Sequence, residues 1–330
     1  MVNVVFVEST TKCKKIEDIL NNHFKESYFC LASCGHITQM PIKELGVDIN
    51  NNYEPTYEII RKNVKNIEKR IKKLKIEKIY LASDLDLEGE KISYDIYNYF
   101  KSKYKIPFLR VCFNEITEHA IIKAFNNPRE INNNMIESQK CRRVIDRLIG
   151  YKLTPKIWKH VNSKGSAGRV LSVIVKLIYD REQEIKKFTY PKYKEIDGVF
   201  TTKTGIELHG TSTDEIDLEF IQNMTYYIKS CSCKIQKEEP PKPYITSTLH
   251  RDISSKFKMS MKGIVKILQN LYQNGHITYI RTDSTNISKK FQEELKKYTK
   301  IRYDKALLFP RTYDNDNGAH ECIRPTNFRI

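Results

Sequence analysis

The chain has 330 residues, with 57 Lys or Arg against 40 Asp or Glu and a net charge of +17. Hydrophobic residues make up 40% and aromatic residues 11%, which supports a sizeable core in two or three domains and excludes a disordered chain. No apolar run is long enough to span a bilayer, so no membrane partner is expected, and the basic excess favours nucleic acid over an acidic membrane surface.

In chain order, Val2–Val7 is a continuous apolar run ending at Glu8, the pattern of a buried parallel strand. Ser9, Thr10 or Thr11 can cap a following helix whose apolar face includes Ile16, Ile19 and Leu20. Residues 29–33 read as a second strand, 64–76 as a strongly basic helix, 78–83 as a strand, 90–104 as a helix and 108–113 as a further strand. Strand and helix thus alternate over the first ~115 residues, which predicts a small α/β domain with a parallel sheet.

From Thr117 the pattern turns helical. Residues 135–150 form an amphipathic segment carrying Arg142, Arg143 and Arg147, and residues 169–187 a long helix. Residues 193–213 alternate without a helical period and predict strands. Pro240-Pro241-Lys242-Pro243 is a stiff linker. Two helices (248–258 and 261–273) and a short strand (276–281) follow, an order compatible with a winged-helix-like unit. The expected domains are 1–150, 151–240 and 241–330.

Eight cysteines include no C-x-x-C pair, and the start Met1-Val2-Asn3 lacks a signal peptide's basic region. Reduced thiols in an intracellular protein are expected, without a zinc module.

The densest chemistry lies at Ala82-Ser83-Asp84-Leu85-Asp86-Leu87-Glu88-Gly89-Glu90, where an apolar strand runs into carboxylates spaced two apart. Oxygen-rich clusters of this kind suit Mg²⁺, although acidic residues also cap helix N-termini for electrostatic reasons alone. In a parallel sheet, ligand-handling residues gather at the carboxyl ends of strands. That puts Glu8, Asp84, Asp86 and Glu88 within reach of one metal.

Separated segments line up with one family. Val5-Phe6-Val7-Glu8-Ser9-Thr10-Thr11-Lys12 resembles the first Toprim motif and Asp84-Leu85-Asp86-Leu87-Glu88 the second. Ser166-Ala167-Gly168-Arg169-Val170-Leu171-Ser172 is similar to the family's S-A-G-R-V-Q-S. Ile277-Thr278-Tyr279-Ile280-Arg281-Thr282-Asp283-Ser284 resembles the active-site tyrosine motif, and residues 319–326, with His320 and Arg324, resemble the motif after it. Gly35-His36-Ile37 and Phe113-Asn114-Glu115-Ile116-Thr117 match as well. The chain resembles the type IA DNA topoisomerases, the cellular topoisomerase I subgroup in particular, over nearly all its length.

The resemblance implies a multidomain fold that opens with an α/β Toprim domain, continues through mixed α+β and helical segments, and ends in the tyrosine unit. It implies Mg²⁺-dependent, ATP-independent breakage and rejoining of one DNA strand, relaxing negative supercoils in single-stranded or underwound DNA. Tyr279 would attack a phosphate and leave a 5′-phosphotyrosyl link, with Arg281 stabilising the phenolate. Glu8 would supply a proton to the departing 3′-oxygen, Lys12 would offset phosphate charge, and His320 would hydrogen-bond the phosphate or orient an acidic partner. Glu8, Asp84, Asp86 and Glu88 would hold the metal. Arg169, Ser172, Arg142, Arg143, Arg147, His36, Asp283 and Arg324 would contact DNA. Leu87 stands where many relatives carry arginine, and the returning segments that close the family's ring are absent after Ile330. A fragment, or half of a split enzyme completed by a second polypeptide, is therefore the alternative to a stand-alone enzyme. A different Toprim enzyme or a non-catalytic DNA-binding remnant would need no Tyr279 chemistry.

Overall fold

In the computed structural model, strand β1 (Val2–Val7) lies at the centre of the first domain, its apolar side chains buried on both faces. The structure describes residues 1–161, 164–190, 192, 194–214, 219, 224–236, 238, 240–303 and 320–327. Helix α1 (Thr10–His23) follows, its N-terminus capped by the Ser9 hydroxyl, which accepts from the Thr11 amide. Strand β2 (Tyr28–Ala32) then pairs in parallel with β1. Four two-residue strands form two small antiparallel pairs, β3 (Thr38–Gln39) with β6 (Glu58–Ile59) and β4 (Val47–Asp48) with β5 (Glu54–Pro55). The basic helix α2 (Arg61–Ile71), strand β7 (Ile76–Leu81), helix α3 (Leu87–Phe100) and strand β8 (Phe108–Arg110) complete the α/β pattern.

The parallel sheet has the order β2-β1-β7-β8. The chain leaves β1 toward one edge and leaves β7 toward the other, so the crevice beyond their carboxyl ends is a topological switch point. Alternation along β1 divides the core in two. Val5 and Val7 face a cluster with Ile16 and Leu20 of α1, while Val4 and Phe6 face one with Val64, Ile67 and Ile71 of α2 and Ile92 and Ile96 of α3.

Helix α4 (Glu118–Asn126) is capped by Thr117, and α5 (Asn133–His160) follows. The expected helix over 135–150 continues ten residues further, through Pro155, so the boundary at 150 falls inside it. Residues 1–167 and 240–330 form one compact unit, and residues 168–239 another. The second unit holds α6 (Arg169–Lys187) and an antiparallel hairpin of β9 (Ile196–Thr201) and β10 (Glu207–Ser212). The first residue of the expected strand region, Tyr193, lies outside the described residues.

After Pro240 come α7 (Thr246–Phe257), α8 (Met261–Gln273) and later α9 (Lys289–Tyr303). These are not an isolated domain: Ile264, Leu268, Tyr272, Tyr279 and Ile280 join the same core cluster as Val5, Val7 and Ile16. The strand expected at 276–281 is reduced to a single bridge between Ile277 and Pro325. Scattered backbone bonds, such as the Thr278 amide to the Arg324 carbonyl at 3.0 Å and the Thr326 amide to the His276 carbonyl at 2.9 Å, hold this segment together with side chains in place of a ladder. Gly275, which turns the chain out of α8, has φ +72°, and a Cβ there would come within 2.3 Å of the Ile116 carbonyl oxygen.

Candidate active site

The crevice at the switch point collects carboxylates from two strand ends. Glu8 follows β1, and its Oε1 accepts the Asp84 amide at 3.0 Å. Lys12, fully buried one turn into α1, pairs with Asp84 Oδ1. Asp86 caps α3, accepting the Gly89 amide at 2.8 Å on Oδ1. Burial, then the neighbouring Asp84, pushes the Glu8 carboxyl up to about 7, with Asp86 adding to the repulsion and Lys12 opposing it.

Tyr279 reaches this crevice from far along the chain. It is 4% exposed, and its hydroxyl donates to Asp86 Oδ2 at 2.6 Å. Arg281 Nη1 lies 3.3 Å from the same oxygen, so the two side chains, two residues apart, meet at one carboxylate without a strand. Burial first, then the charges of Asp86 and Asp84, hold the Tyr279 phenol well above its ordinary pKa. The phenol is therefore a protonated donor here, not a phenolate.

Three features of the tyrosine's setting were not foreseen from the sequence. The Thr246 hydroxyl interacts with the Ile280 and Thr282 carbonyls at 2.7 and 2.9 Å and accepts the Thr282 amide at 2.9 Å. The Tyr279 amide donates to the Asn114 carbonyl at 2.7 Å. Tyr272 packs edge-on against Tyr279 with ring centroids 5.2 Å apart, beneath the Lys12 ammonium.

Arg110, at the end of β8, was also missed. Completely buried, it donates to the carbonyls of Leu81, Ser83, Val111 and Asp84 at 2.7–3.0 Å and pairs with Glu90 at 3.0 Å. It thereby moulds the turn between β7 and α3 on which Asp84 and Asp86 sit. Gly89 is equally constrained, since a Cβ there would lie 2.1 Å from the Asp84 carbonyl oxygen.

Glu88 turns away from the other carboxylates. Its Oε2 meets His36 Nε2 at 2.9 Å and Gln139 at 3.1 Å, with Arg143 at 3.6 Å. The His36 hydrogen bond holds Glu88 down at about 2. Burial works to lower the His36 pKa, but Asp95 and Glu88 outweigh it and push it up to about 9.

Among the described residues, no group of three or more His, Cys, Asp or Glu side chains is arranged to hold a metal ion. The donor chemistry still fits a hard dication, because Glu8, Asp84 and Asp86 are close enough to repel one another and offer the oxygens that Mg²⁺ takes.

A groove of about 1250 Å³ opens beside Asp86, lined among others by Arg142, His250, Arg251, Arg281, Asp283 and His320. Arg142, Asp283 and His320 thus border the opening beside Asp86 and Arg281. Arg143 and Arg147 line a different recess with His36, and Arg147 donates to the Pro41 carbonyl at 2.9 Å. Arg324 departs furthest from its expected DNA contact. It is buried, paired with Glu321 at 2.6 Å and Glu115 at 3.1 Å, and stacked on Phe291. Arg169 and Ser172 belong to the second unit, at the start of α6, where Ser172 Oγ accepts the Gly168 amide at 3.3 Å.

A Toprim domain model matches residues 3–116, and the model of a DNA topoisomerase family matches residues 130–329. The solved structure of full-length topoisomerase I from Thermotoga maritima, in a monoclinic crystal form, superposes with a TM-score of 0.80 at 34% identity. The match covers 98% of this chain and 55% of that one, so this chain spans about half the length of the solved relative. With its switch-point carboxylates, buried tyrosine and family matches over both parts, the chain belongs to the DNA topoisomerase family and begins with a Toprim domain.

Proposed function

We propose that the chain cleaves one strand of DNA through Tyr279 and rejoins it, relaxing negative supercoils without ATP. The observation that carries this reading is the 2.6 Å hydrogen bond from the Tyr279 hydroxyl to Asp86, with Arg281 on the same oxygen. It joins a nucleophile, a proton acceptor and a phosphate-binding cation from segments remote in sequence.

In the cleavage step Tyr279 Oη attacks phosphorus and gives its proton to Asp86. The bond from phosphorus to the 3′-oxygen breaks, and that oxygen takes a proton from Glu8, whose pKa of about 7 leaves a protonated fraction near neutrality. Rejoining reverses these transfers, and the phosphotyrosyl link conserves the bond energy. Arg281 and Lys12 offset the charge on the phosphate. Asp84 and Asp86 would hold Mg²⁺, joined by Glu8 when it is ionised and by Glu88 on release from His36, and the ion would supply positive charge beside the phosphate. Arg142, Asp283 and His320 line the groove proposed for the strand, and Arg169 and Ser172, in the second unit, offer a helix N-terminus that suits a DNA phosphate. In this reading residues 1–150 serve the metal, 151–240 the DNA and 241–330 the nucleophile, in an intracellular protein.

A second reading, cleavage without relaxation until another polypeptide joins, is favoured by α6. Val173, Ile174, Leu177 and Ile178 on this helix are all about half exposed or more. Incubation of the full chain with negatively supercoiled plasmid and Mg²⁺, beside Tyr279→Phe, tests the proposal. Relaxation lost in the variant is expected; wild-type protein that binds the plasmid without relaxing it would contradict stand-alone activity.

A further inference from the structure

Helix α2 buries Val64, Ile67 and Ile71 against the sheet and turns a stripe of lysines outward. Residues 61–78 carry nine basic and two acidic side chains. Lys62, Lys65, Lys69, Lys72, Lys73 and Lys75 are all exposed, and among the described residues none has a carboxylate partner. The three- and four-residue spacings put Lys62, Lys65, Lys69 and Lys72 in one row about 15 Å long. Such a row repels itself, and nothing on its own helix relieves the repulsion except Glu68.

Glu68 is engaged elsewhere. It accepts from Tyr99 Oη at 3.0 Å and pairs with Lys103. That contact pins the turn carrying Lys101, Lys103 and Lys105 beside α2 and widens the positive face. The row also has a direction. Its first turn is tied to the site, where the Asn63 side chain donates to the His36 carbonyl at 3.0 Å and the Ile60 amide to the Ile37 carbonyl at 2.8 Å. Its last lysines precede β7, where the Lys75 carbonyl accepts the Val2 amide at the opposite edge of the sheet.

The geometry points to a track for the phosphate backbone of duplex DNA, running from the His36 edge of the active site down the flank of the Toprim domain. Residues 61–78 contain no Phe, Tyr or Trp, and the neighbouring Tyr99 and Phe29 rings are overlaid by Lys103 and Arg70, so the lysine row itself offers no open stacking platform of the kind that holds single strands. A row of lysines about 4.5–6 Å apart along one helix suits the repeating phosphates of a duplex, with flexible side chains taking up the difference in spacing. The track lies outside the cleavage groove and needs none of its chemistry.

The test is the salt dependence of binding to a short blunt duplex, measured by fluorescence anisotropy with the full chain and no Mg²⁺. Changing Lys62, Lys65, Lys69 and Lys72 to Gln together should reduce the slope of log K against log salt by roughly 3 to 4, at about 0.9 per phosphate contact. Changing Lys62 and Lys65 alone should give about half that fall, and four Lys→Arg changes should restore the slope. Covalent capture of a single-stranded oligonucleotide by Tyr279 should be the same in wild type and variants. An unchanged duplex slope would overturn the inference. So would loss of single-strand capture in step with the slope, or loss of binding to anionic phospholipid vesicles with duplex binding intact. Because duplex binding is read without cleavage, a chain that formed no adduct would refute the proposed function and leave this measurement standing.

Discussion

Arg110→Met removes the buried guanidinium that shapes the catalytic turn while keeping most of its apolar stem. Five hydrogen bonds go at once, four to carbonyls and one to Glu90. The Leu81 carbonyl keeps the Val111 amide at 3.0 Å, which leaves the Ser83, Asp84 and Val111 oxygens to lose their guanidinium partner. At ~1–3 kcal/mol for each buried acceptor left unpaired, the loss lies between ~3 and ~9 kcal/mol. Arg129 still reaches Glu90, at 2.7 Å, so the carboxylate is not stranded, and the lower part of that range applies. Breaking a buried ion pair on one side costs ~3–5 kcal/mol, which agrees. Urea unfolding of the compact unit, followed by tryptophan-independent far-UV signal, should therefore place Arg110→Met ~3–5 kcal/mol below wild type, a large share of a domain's typical stability. Covalent capture of DNA should fall as well, because the Asp84 and Asp86 turn loses its mould. A loss under about 1 kcal/mol with full capture would refute the reasoning.

Gly89→Ala should destabilise by ~1–3 kcal/mol and suppress DNA capture, since the new methyl meets the rigid Asp84 backbone and outweighs alanine's helical advantage of about 1 kcal/mol; a variant more stable than wild type in urea unfolding would contradict this. Arg324→Met should cost ~3–5 kcal/mol of stability by taking the cationic partner from Glu115 and Glu321, with single-strand affinity unchanged in anisotropy titrations of the folded variant. Burial raises the Asp95 pKa, but the His36 ring, Lys91 and Thr38 overcome it and hold the carboxyl below its ordinary value. A depressed folded-state pKa contributes stability above the unfolded value, about 3.9, and loses it as pH falls through the folded value. The stability difference between wild type and Asp95→Asn should thus be largest near neutrality and shrink in acid; a difference that grows in acid would contradict the assignment.

Much of the site could be read from residue order because its parts are strand ends. The apolar run of β1 ends at Glu8 and that of β7 just before Asp84, and parallel strands deliver their carboxyl ends to one edge. Helices α6 and α8 were also recognisable at their observed limits from their apolar period. What periodicity hides is which faces meet. The buried side of α8 signals a partner, but not that the partner is the α1 face of the Toprim sheet. Arg110 sits in an apolar strand pattern as one basic residue, and only the curl of the Leu81–Asp84 turn reveals its five acceptors. Arg324 was expected at DNA from its motif's resemblance alone; Glu115, far earlier in the chain, shows as its partner only in the fold, beside Glu321 of the same motif. Glu88 belongs to the carboxylate run by spacing, yet the helical turn after Asp86 swings it toward His36.

The central claim is that Tyr279 forms the covalent link. The most direct measurement is incubation of the full chain with Mg²⁺ and a 3′-end-labelled single-stranded oligonucleotide, denaturation, and mapping of the labelled peptide by mass spectrometry. A labelled adduct carried by Tyr279 through a 5′-phosphate, and absent from Tyr279→Phe, is expected. An adduct on another residue, or one that survives in Tyr279→Phe, would contradict the claim.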